Sequence, residues 1–248
     1  MSLWVEGRVV KQHAWTDSLF SLFIEADIEP FIAGQFCRIA LDIDDKRIPR
    51  PYSFVNAPTE SLCEFYYNHV PGGLLTDKLI QLKPNDRIWV AKRGAGLFTL
   101  KQVKDADTLW LFATGTALGV FLSILKTEEP WQRFKNIVLV HAARLQKELT
   151  HQDLIQNLQK SYPNLQYVPF VSQEEGVNVM QGRITHALEN GALEEKTGLP
   201  LTKEKAATMI CGNPHMVKDM VEALQKRGLE ISHPKTPAHI TIENYWKD

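Results

Sequence analysis

The stretch TLWLFATGTALGVFLSIL, from Thr108 to Leu125, carries no charged side chain. Its length reaches the lower limit of a membrane-spanning helix. Its pattern divides in the middle, however. LWLFA reads as a buried strand, TGTALG as a turn and VFLSIL as the start of a helix. A buried strand, a glycine turn and a helix in succession are the opening unit of an α/β sheet. Gly115 and Gly119 let a backbone approach a pyrophosphate, and the helix N-terminus presents amide donors. The full G-x-G-x-x-G fingerprint is absent, so a purely steric role for the glycines is equally open.

Outward from this unit the chain changes character near residue 105. Before it lie short β-like runs: Trp4–Val10, Leu19–Ile24, Gln35–Leu41, Tyr52–Asn56, Glu64–Asn68 and Arg87–Ala91. Turn residues separate them, and one short helix is expected at Leu75–Leu82. Many short strands with regular turn signals predict a sandwich or barrel. After residue 105, strands alternate with helices. Strands are expected at Thr108–Ala113, Ile137–His141, Leu165–Phe170, Thr208–Cys211 and His239–Ile242. Helices are expected at Thr116–Lys126, Leu149–Tyr162, Ile184–Glu189 and Pro214–Lys226. That alternation predicts a parallel sheet flanked by helices, with ligands at the carboxyl ends of its strands. The expected fold is an N-terminal antiparallel Greek-key β-barrel over residues 1–100, followed by a doubly wound α/β domain over 101–248, with a polar linker at Lys101–Asp107.

Composition narrows the function. The 248 residues hold 28 Lys+Arg against 29 Asp+Glu, a net charge of -1, and 44% are hydrophobic. This balance argues against a binder that neutralises nucleic-acid phosphates and against a disordered acidic chain. Cys37, Cys63 and Cys211 are too few and too scattered for a disulfide framework, which fits a reducing cytoplasm. The opening MSLWVEGRVVKQ does not read as a secretory leader, and no membrane span is expected. The eight histidines show no metal-binding spacing. Neither a G-x-S-x-G elbow nor a Walker loop occurs.

Four further motifs carry possible chemistry. Arg50-Pro-Tyr-Ser-Phe54 offers a guanidinium for phosphate, a ring for stacking and a hydroxyl. An ordinary barrel strand is the plainer reading. Val70-Pro-Gly-Gly-Leu-Leu-Thr76 is an anion nest or a simple turn. Cys211-Gly-Asn-Pro-His215 ends a strand and opens a helix at proline, and its cysteine is a reactive thiol or a buried structural one. Tyr245-Trp246 reads as packed, on a ligand or on the protein's own core.

In this order and spacing the motifs make the whole chain resemble the bacterial ferredoxin (flavodoxin)–NADP⁺ reductases. The resemblance rests on Arg50–Ser53 with Phe54-Val-Asn, Pro71–Thr76, Ala113–Ala117, Leu122–Leu125, Val140–Arg144, Gly182-Arg183, Cys211–Pro214 and Tyr245-Trp246. It implies a barrel that binds FAD and an α/β domain that binds NADP(H). By it, Arg50 and Pro51 lie at the FAD pyrophosphate, Tyr52 stacks on the isoalloxazine, and Ser53 hydrogen-bonds the reactive flavin nitrogen. Tyr66 and Asn68 line the flavin edge. Gly73, Leu74, Leu75 and Thr76 supply backbone donors, and Thr116 stands near the nicotinamide junction. Tyr245 and Trp246 cover the FAD. Arg144, Ser172, Gln173 and Arg183 meet the NADP(H) phosphates, Gly212 and Asn213 bind NADP(H), and Cys211 sits beside the nicotinamide. Ser53 and Cys211 are the catalytic candidates.

Three positions depart from the family pattern. Val120 replaces a proline, Lys247-Asp248 extend past the aromatic end, and Gln173 stands where relatives place an arginine. The implied activity passes electrons between NADPH and flavodoxin or ferredoxin through FAD, in a cytoplasmic monomer. Lys92 and Arg93 are either steering charges for an acidic carrier or solvated surface. Two alternatives stand beside it: the reductase of an oxygenase or of free flavins, and a non-catalytic subunit of the same shape.

Overall fold

The structure is a computed structural model that describes residues 3–244, with only the backbone of Asn244. By packing, the described residues form two compact units: 3–99 with 119–127, and 100–118 with 128–244.

The first unit contains β1 (Trp4–Ala14), β2 (Leu19–Glu25), β3 (Phe36–Ile43), β4 (Lys46–Ser53), β5 (Cys63–Asn68), α1 (Thr76–Leu79) and β6 (Arg87–Ala91). The six strands pair antiparallel in the order β4-β3-β6-β1-β2-β5. A single bridge between Phe54 and Phe65 brings the β4 and β5 edges together, so the sheet curls into a half-barrel. Leu22, Ile24, Ile39, Phe54, Phe65, Tyr67, Leu79 and Val90 fill it.

Sequence reading expects the fourth strand at Tyr52–Asn56, but β4 runs from Lys46 to Ser53. Asp44 and Asp45, at φ 49° and 59°, make a tight two-residue hairpin that pairs Ile43 with Lys46. Pro49 and Pro51 are tolerated because β4 lies at the sheet edge and their nitrogens owe no ladder bond. The helix expected at Leu75–Leu82 closes at Leu79, and the bonds from Gln81 and Leu82 that follow are three-residue turns.

The second unit begins with β7 (Thr108–Thr114), a single helical turn at Gly115–Ala117 and the start of α2 (Leu118–Leu125). These replace the uncharged stretch, and no helix among the described residues is long and apolar enough to cross a membrane. Residues 119–127 pack with the first unit, where the Ser123 hydroxyl donates to the Asn56 carbonyl at 2.7 Å and Phe121 meets Phe98 edge-on. Gly119 is required for that packing, since a Cβ there would stand 2.9 Å from the Val55 side chain.

The chain continues through α3 (Glu129–Arg133), β8 (Asn136–Ala143), α4 (Gln152–Ser161), β9 (Leu165–Val171), β10 (Met180–Gln181), α5 (Ile184–Glu189), α6 (Ala192–Thr197), β11 (Ala206–Gly212), α7 (Pro214–Lys226) and β12 (Ile240–Asn244). All six strands are parallel, in the order β10-β9-β8-β7-β11-β12. β7 is buried on both faces until Thr114, as a central parallel strand must be. α4 begins three residues later than expected because His151, at φ 59°, breaks the helical path. α3, α6 and β10 are too short to leave a periodic signal. Strand order reverses between β7 and β11, and in open α/β sheets it is at the carboxyl ends beside such a reversal that ligands bind.

Candidate functional site

In the first unit the Phe54–Phe65 bridge sets Ser53 and Tyr52 across from Tyr66 and Tyr67. The Tyr52 and Tyr67 rings stand edge to face, 6.2 Å apart. Tyr67 is fixed in turn by donating to Gln12 Oε1 at 2.7 Å. Burial pushes the Tyr52 hydroxyl up to about 12, so it is a neutral donor. Ser53 is buried at the end of β4 and Arg50 is exposed on the same edge strand. Tyr66 is buried, and Asn68 is exposed at the end of β5.

The chain leaves Asn68 directly into the glycine turn. Gly73 N–H donates to the Val70 carbonyl at 2.9 Å, and the Thr76 hydroxyl donates to the same oxygen at 3.0 Å. Asp77 closes the turn from the far side by accepting from Gly72 N–H at 3.0 Å and pairing with His69 at 2.7 Å. A Cβ on Gly73 would lie 2.8 Å from the Val70 carbonyl, so only glycine allows this compact form. Leu75 is buried and Leu74 is exposed. The unit therefore gathers an exposed guanidinium, a neutral aromatic hydroxyl, a buried serine and a glycine turn along two neighbouring strand ends. That donor set suits a flat aromatic group with a diphosphate.

In the second unit the carboxyl ends of β7 and β11 are tied across the strand-order reversal. The Thr114 hydroxyl accepts from Asn213 N–H at 2.8 Å. A Cβ on Gly212, at φ 137°, would stand 2.1 Å from that hydroxyl oxygen. Asn213 then caps α7 by accepting from His215 N–H at 2.9 Å, with Pro214 at the first helical position. Gly115, at φ 56°, faces open space, and Thr116 lies one residue beyond it.

Strand register aligns His141, Ala113, Cys211 and Glu243 in one row across β8, β7, β11 and β12. Cys211 is fully buried; loss of solvation, and then the Glu243 charge, push its thiol well above the usual range. It is a neutral thiol rather than a nucleophilic thiolate. Burial also pushes the Glu243 carboxyl up to about 7, and its buried Oε2 has no hydrogen-bond partner among the described residues. An orphaned carboxyl oxygen at a strand-order reversal fits a ligand that brings its own hydrogen-bonding group, such as a carboxamide.

Three more strand ends stand side by side. The Ser172 and Gln173 amides donate to the Ala143 and Arg144 carbonyls at 3.2 and 2.9 Å, and Gly182 N–H donates to Val171 at 2.9 Å. This brings Arg144, Gln173 and Arg183 together at the ends of β8, β9 and β10, all exposed. Glu148, buried, accepts from Arg144 N–H at 3.0 Å and from the Arg144 guanidinium at 3.1 Å. The remaining guanidinium edges suit phosphate oxygens.

Sequence reading misses Glu243, Thr114 and Glu148. The one available signal for Glu243 is a carboxylate that follows an apolar strand directly. Tyr245 and Trp246 lie outside the described residues.

The chain is similar to known proteins along its whole length. Residues 111–222 match the family model described as the oxidoreductase NAD-binding domain. The flavodoxin/ferredoxin–NADP reductase of Shigella flexneri is 45% identical over 99% of this chain and 100% of its own length. Its counterpart from Escherichia coli is 44% identical over the same shares. Among solved structures, a ferredoxin NADP⁺ reductase from Neisseria gonorrhoeae with bound FAD and NADP superimposes with a TM-score of 0.93 at 27% identity, covering 99% of this chain and all of that one.

Proposed function

The chain belongs to the flavodoxin/ferredoxin–NADP reductase family, and on that premise we propose how its residues carry electrons from NADPH through FAD to a one-electron protein carrier, flavodoxin or ferredoxin. FAD, when bound, supplies the exchange between two-electron and one-electron chemistry. The protein's part is to hold, orient and solvate selectively.

In this reading Arg50 and Pro51 meet the FAD diphosphate together with the backbone of Gly73, Leu74, Leu75 and Thr76. Tyr52 offers its ring face to the isoalloxazine, and Tyr66 and Asn68 border it. Ser53 directs its hydroxyl at the reactive nitrogen, where a hydrogen bond that strengthens in the transition state accelerates transfer. Thr116 and the Gly115 turn receive the nicotinamide nucleotide, with Gly212 and Asn213 across the strand-order reversal. Glu243 takes the carboxamide, and Cys211 fills the wall behind the ring. Arg144, Ser172, Gln173 and Arg183 receive the phosphates of the adenosine half.

One observation carries the assignment of the nicotinamide end: the buried Glu243 oxygen, without a hydrogen-bond partner among the described residues, on β12 beside Cys211 of β11. The reading includes a cytoplasmic monomer, which three buried free thiols fit. An oxygenase or free-flavin reductase, or a non-catalytic subunit, is not favoured beside relatives named for the carriers over their full length. Anaerobic NADPH should bleach the yellow protein, and the reduced protein should reduce flavodoxin or ferredoxin in single-electron steps. A colourless protein, or one whose flavin ignores NADPH, would overturn the assignment.

A further inference from the structure

A buried polar chain lies beneath the Gly115 turn. His141 on β8 is wholly buried, with Nε2 3.1 Å from the Gly115 carbonyl oxygen and Nδ1 3.4 Å from the Tyr167 hydroxyl. Gln152, the first residue of α4, donates to that hydroxyl at 3.0 Å and to the Leu149 carbonyl at 2.9 Å. A carbonyl oxygen only accepts, so the first contact requires the imidazole proton on Nε2. Nδ1 is then an acceptor. Because Tyr167 receives from Gln152, its own proton is directed to Nδ1. The bonds run one way: Gln152 to Tyr167, Tyr167 to His141, His141 to Gly115. Burial pulls the His141 pKa down to about 4, so the ring is neutral near pH 7 and its tautomer, not its charge, is the variable.

We propose that His141 is a positioning residue for the Gly115 turn and that Tyr167 acts through it, by fixing the imidazole tautomer that donates to Gly115. The proposal rests on the reading that this turn receives the nicotinamide nucleotide. Gly115 opens the turn at φ 56°, and its carbonyl also accepts from Leu118 N–H. In a trans peptide the N–H points opposite to the carbonyl. Holding the Gly115 carbonyl inward on His141 therefore holds the Thr116 amide outward. If the proton moved to Nδ1, the Nε2 lone pair would face the carbonyl oxygen and repel it. Tyr167, two strands from β7, thereby governs the geometry of a turn it does not touch.

The test uses the FAD-loaded protein, titrated with NADP⁺ and followed by the flavin difference spectrum, with hydrogen exchange of the 115–118 amides alongside. His141→Leu should weaken NADP⁺ binding about tenfold, the size of a lost buried hydrogen bond, and speed exchange at those amides. His141→Gln, whose amide nitrogen reaches the Nε2 position, should bind within about twofold of the parent. Tyr167→Phe should weaken binding about threefold in the parent but less than about 1.5-fold in the Gln variant, whose amide has no tautomer to set. FAD retention should hold throughout, and the loss should fall on KM for NADPH with kcat near its parent value.

Equal effects of Tyr167→Phe in both backgrounds would reduce Tyr167 to packing and overturn the proposal. So would unchanged NADP⁺ affinity in His141→Leu. If that variant fails to fold, the Tyr167→Phe pair decides alone. Absence of NADP⁺-dependent protection at 115–118 in the parent would instead refute the assignment of the turn, and the proposal with it.

Discussion

Glu243 and His141 should give this protein two opposed pH dependences that conceal each other. The Glu243 carboxyl is raised from 4.5 to about 7, and the His141 imidazole is lowered from 6.5 to about 4, both chiefly by burial. A raised carboxyl contributes stability that is full below pH 4.5 and is lost as pH rises through 7. A lowered imidazole contributes stability that is full above pH 6.5 and is lost as pH falls through 4. At about 1.4 kcal/mol per pH unit, each displacement is worth about 3 kcal/mol. The two groups sit three strands apart, roughly 14 Å at the usual strand spacing, so their effects should add. In the parent their slopes cancel between pH 4.5 and 6.5, where both groups differ in protonation between the folded and unfolded chain. Glu243→Gln should expose the histidine and make unfolding free energy rise by about 2 kcal/mol across that interval. His141→Gln should expose the carboxyl and make it fall by about as much. Urea unfolding followed by far-ultraviolet circular dichroism, with FAD in fixed excess, reads both. If neither variant tilts the profile relative to the parent, these groups do not titrate as buried and the reasoning fails.

Ser53→Ala should slow flavin reduction by NADPH in stopped flow while leaving FAD affinity within about 1 kcal/mol, the worth of a neutral hydrogen bond; an unchanged rate removes Ser53 from the chemistry. Gln173→Arg should raise the NADPH/NADH ratio of kcat/KM, and Arg144→Ala or Arg183→Ala should lower it by about ten- to a hundredfold, as charged hydrogen bonds to a 2′-phosphate imply; equal use of both nucleotides by the parent would sink the clamp. Gly212→Ala places a Cβ 2.1 Å from the Thr114 hydroxyl at a left-handed φ, so it should cost about 2 kcal/mol or more in urea unfolding and weaken NADP⁺ binding; an unaltered midpoint would show that the Thr114–Asn213 tie is dispensable.

The sequence discloses those parts whose chemistry is local. An uncharged strand, a glycine turn and an apolar helix start can be read in Thr108–Leu125 because each step has its own residue signature. The position of β4 is not readable that way. Pro49 and Pro51 look like breakers until the strand is known to lie at an edge, which is a fact about its neighbours. The clustering of Arg144, Gln173 and Arg183 is equally non-local, since it follows from the order of β8, β9 and β10. Glu243 reverses the expected pattern. Ile240 and Ile242 alternate as a strand core should, yet Ile242 is partly exposed while the carboxylate oxygen beyond it is buried. Only register with Cys211 explains why a charged side chain enters that row.

The placement of residues 119–127 bears on how the chain is made. The half-barrel is complete only when α2 has covered Val55 and Phe98, and α2 follows the first strand of the other unit. A ribosome adds roughly 5–20 residues per second, so finishing the segment beyond Thr99 takes a few seconds more. During that interval the nascent half-barrel presents bare apolar side chains while β7, apolar between its terminal threonines, is emerging. A fragment cut near residue 100 would hold this immature surface permanently, and one extended through Thr127 would gain the cover only by carrying β7 without its neighbours β8 and β11. The covalent order thus places a strand of one unit between the half-barrel and the helix that covers it.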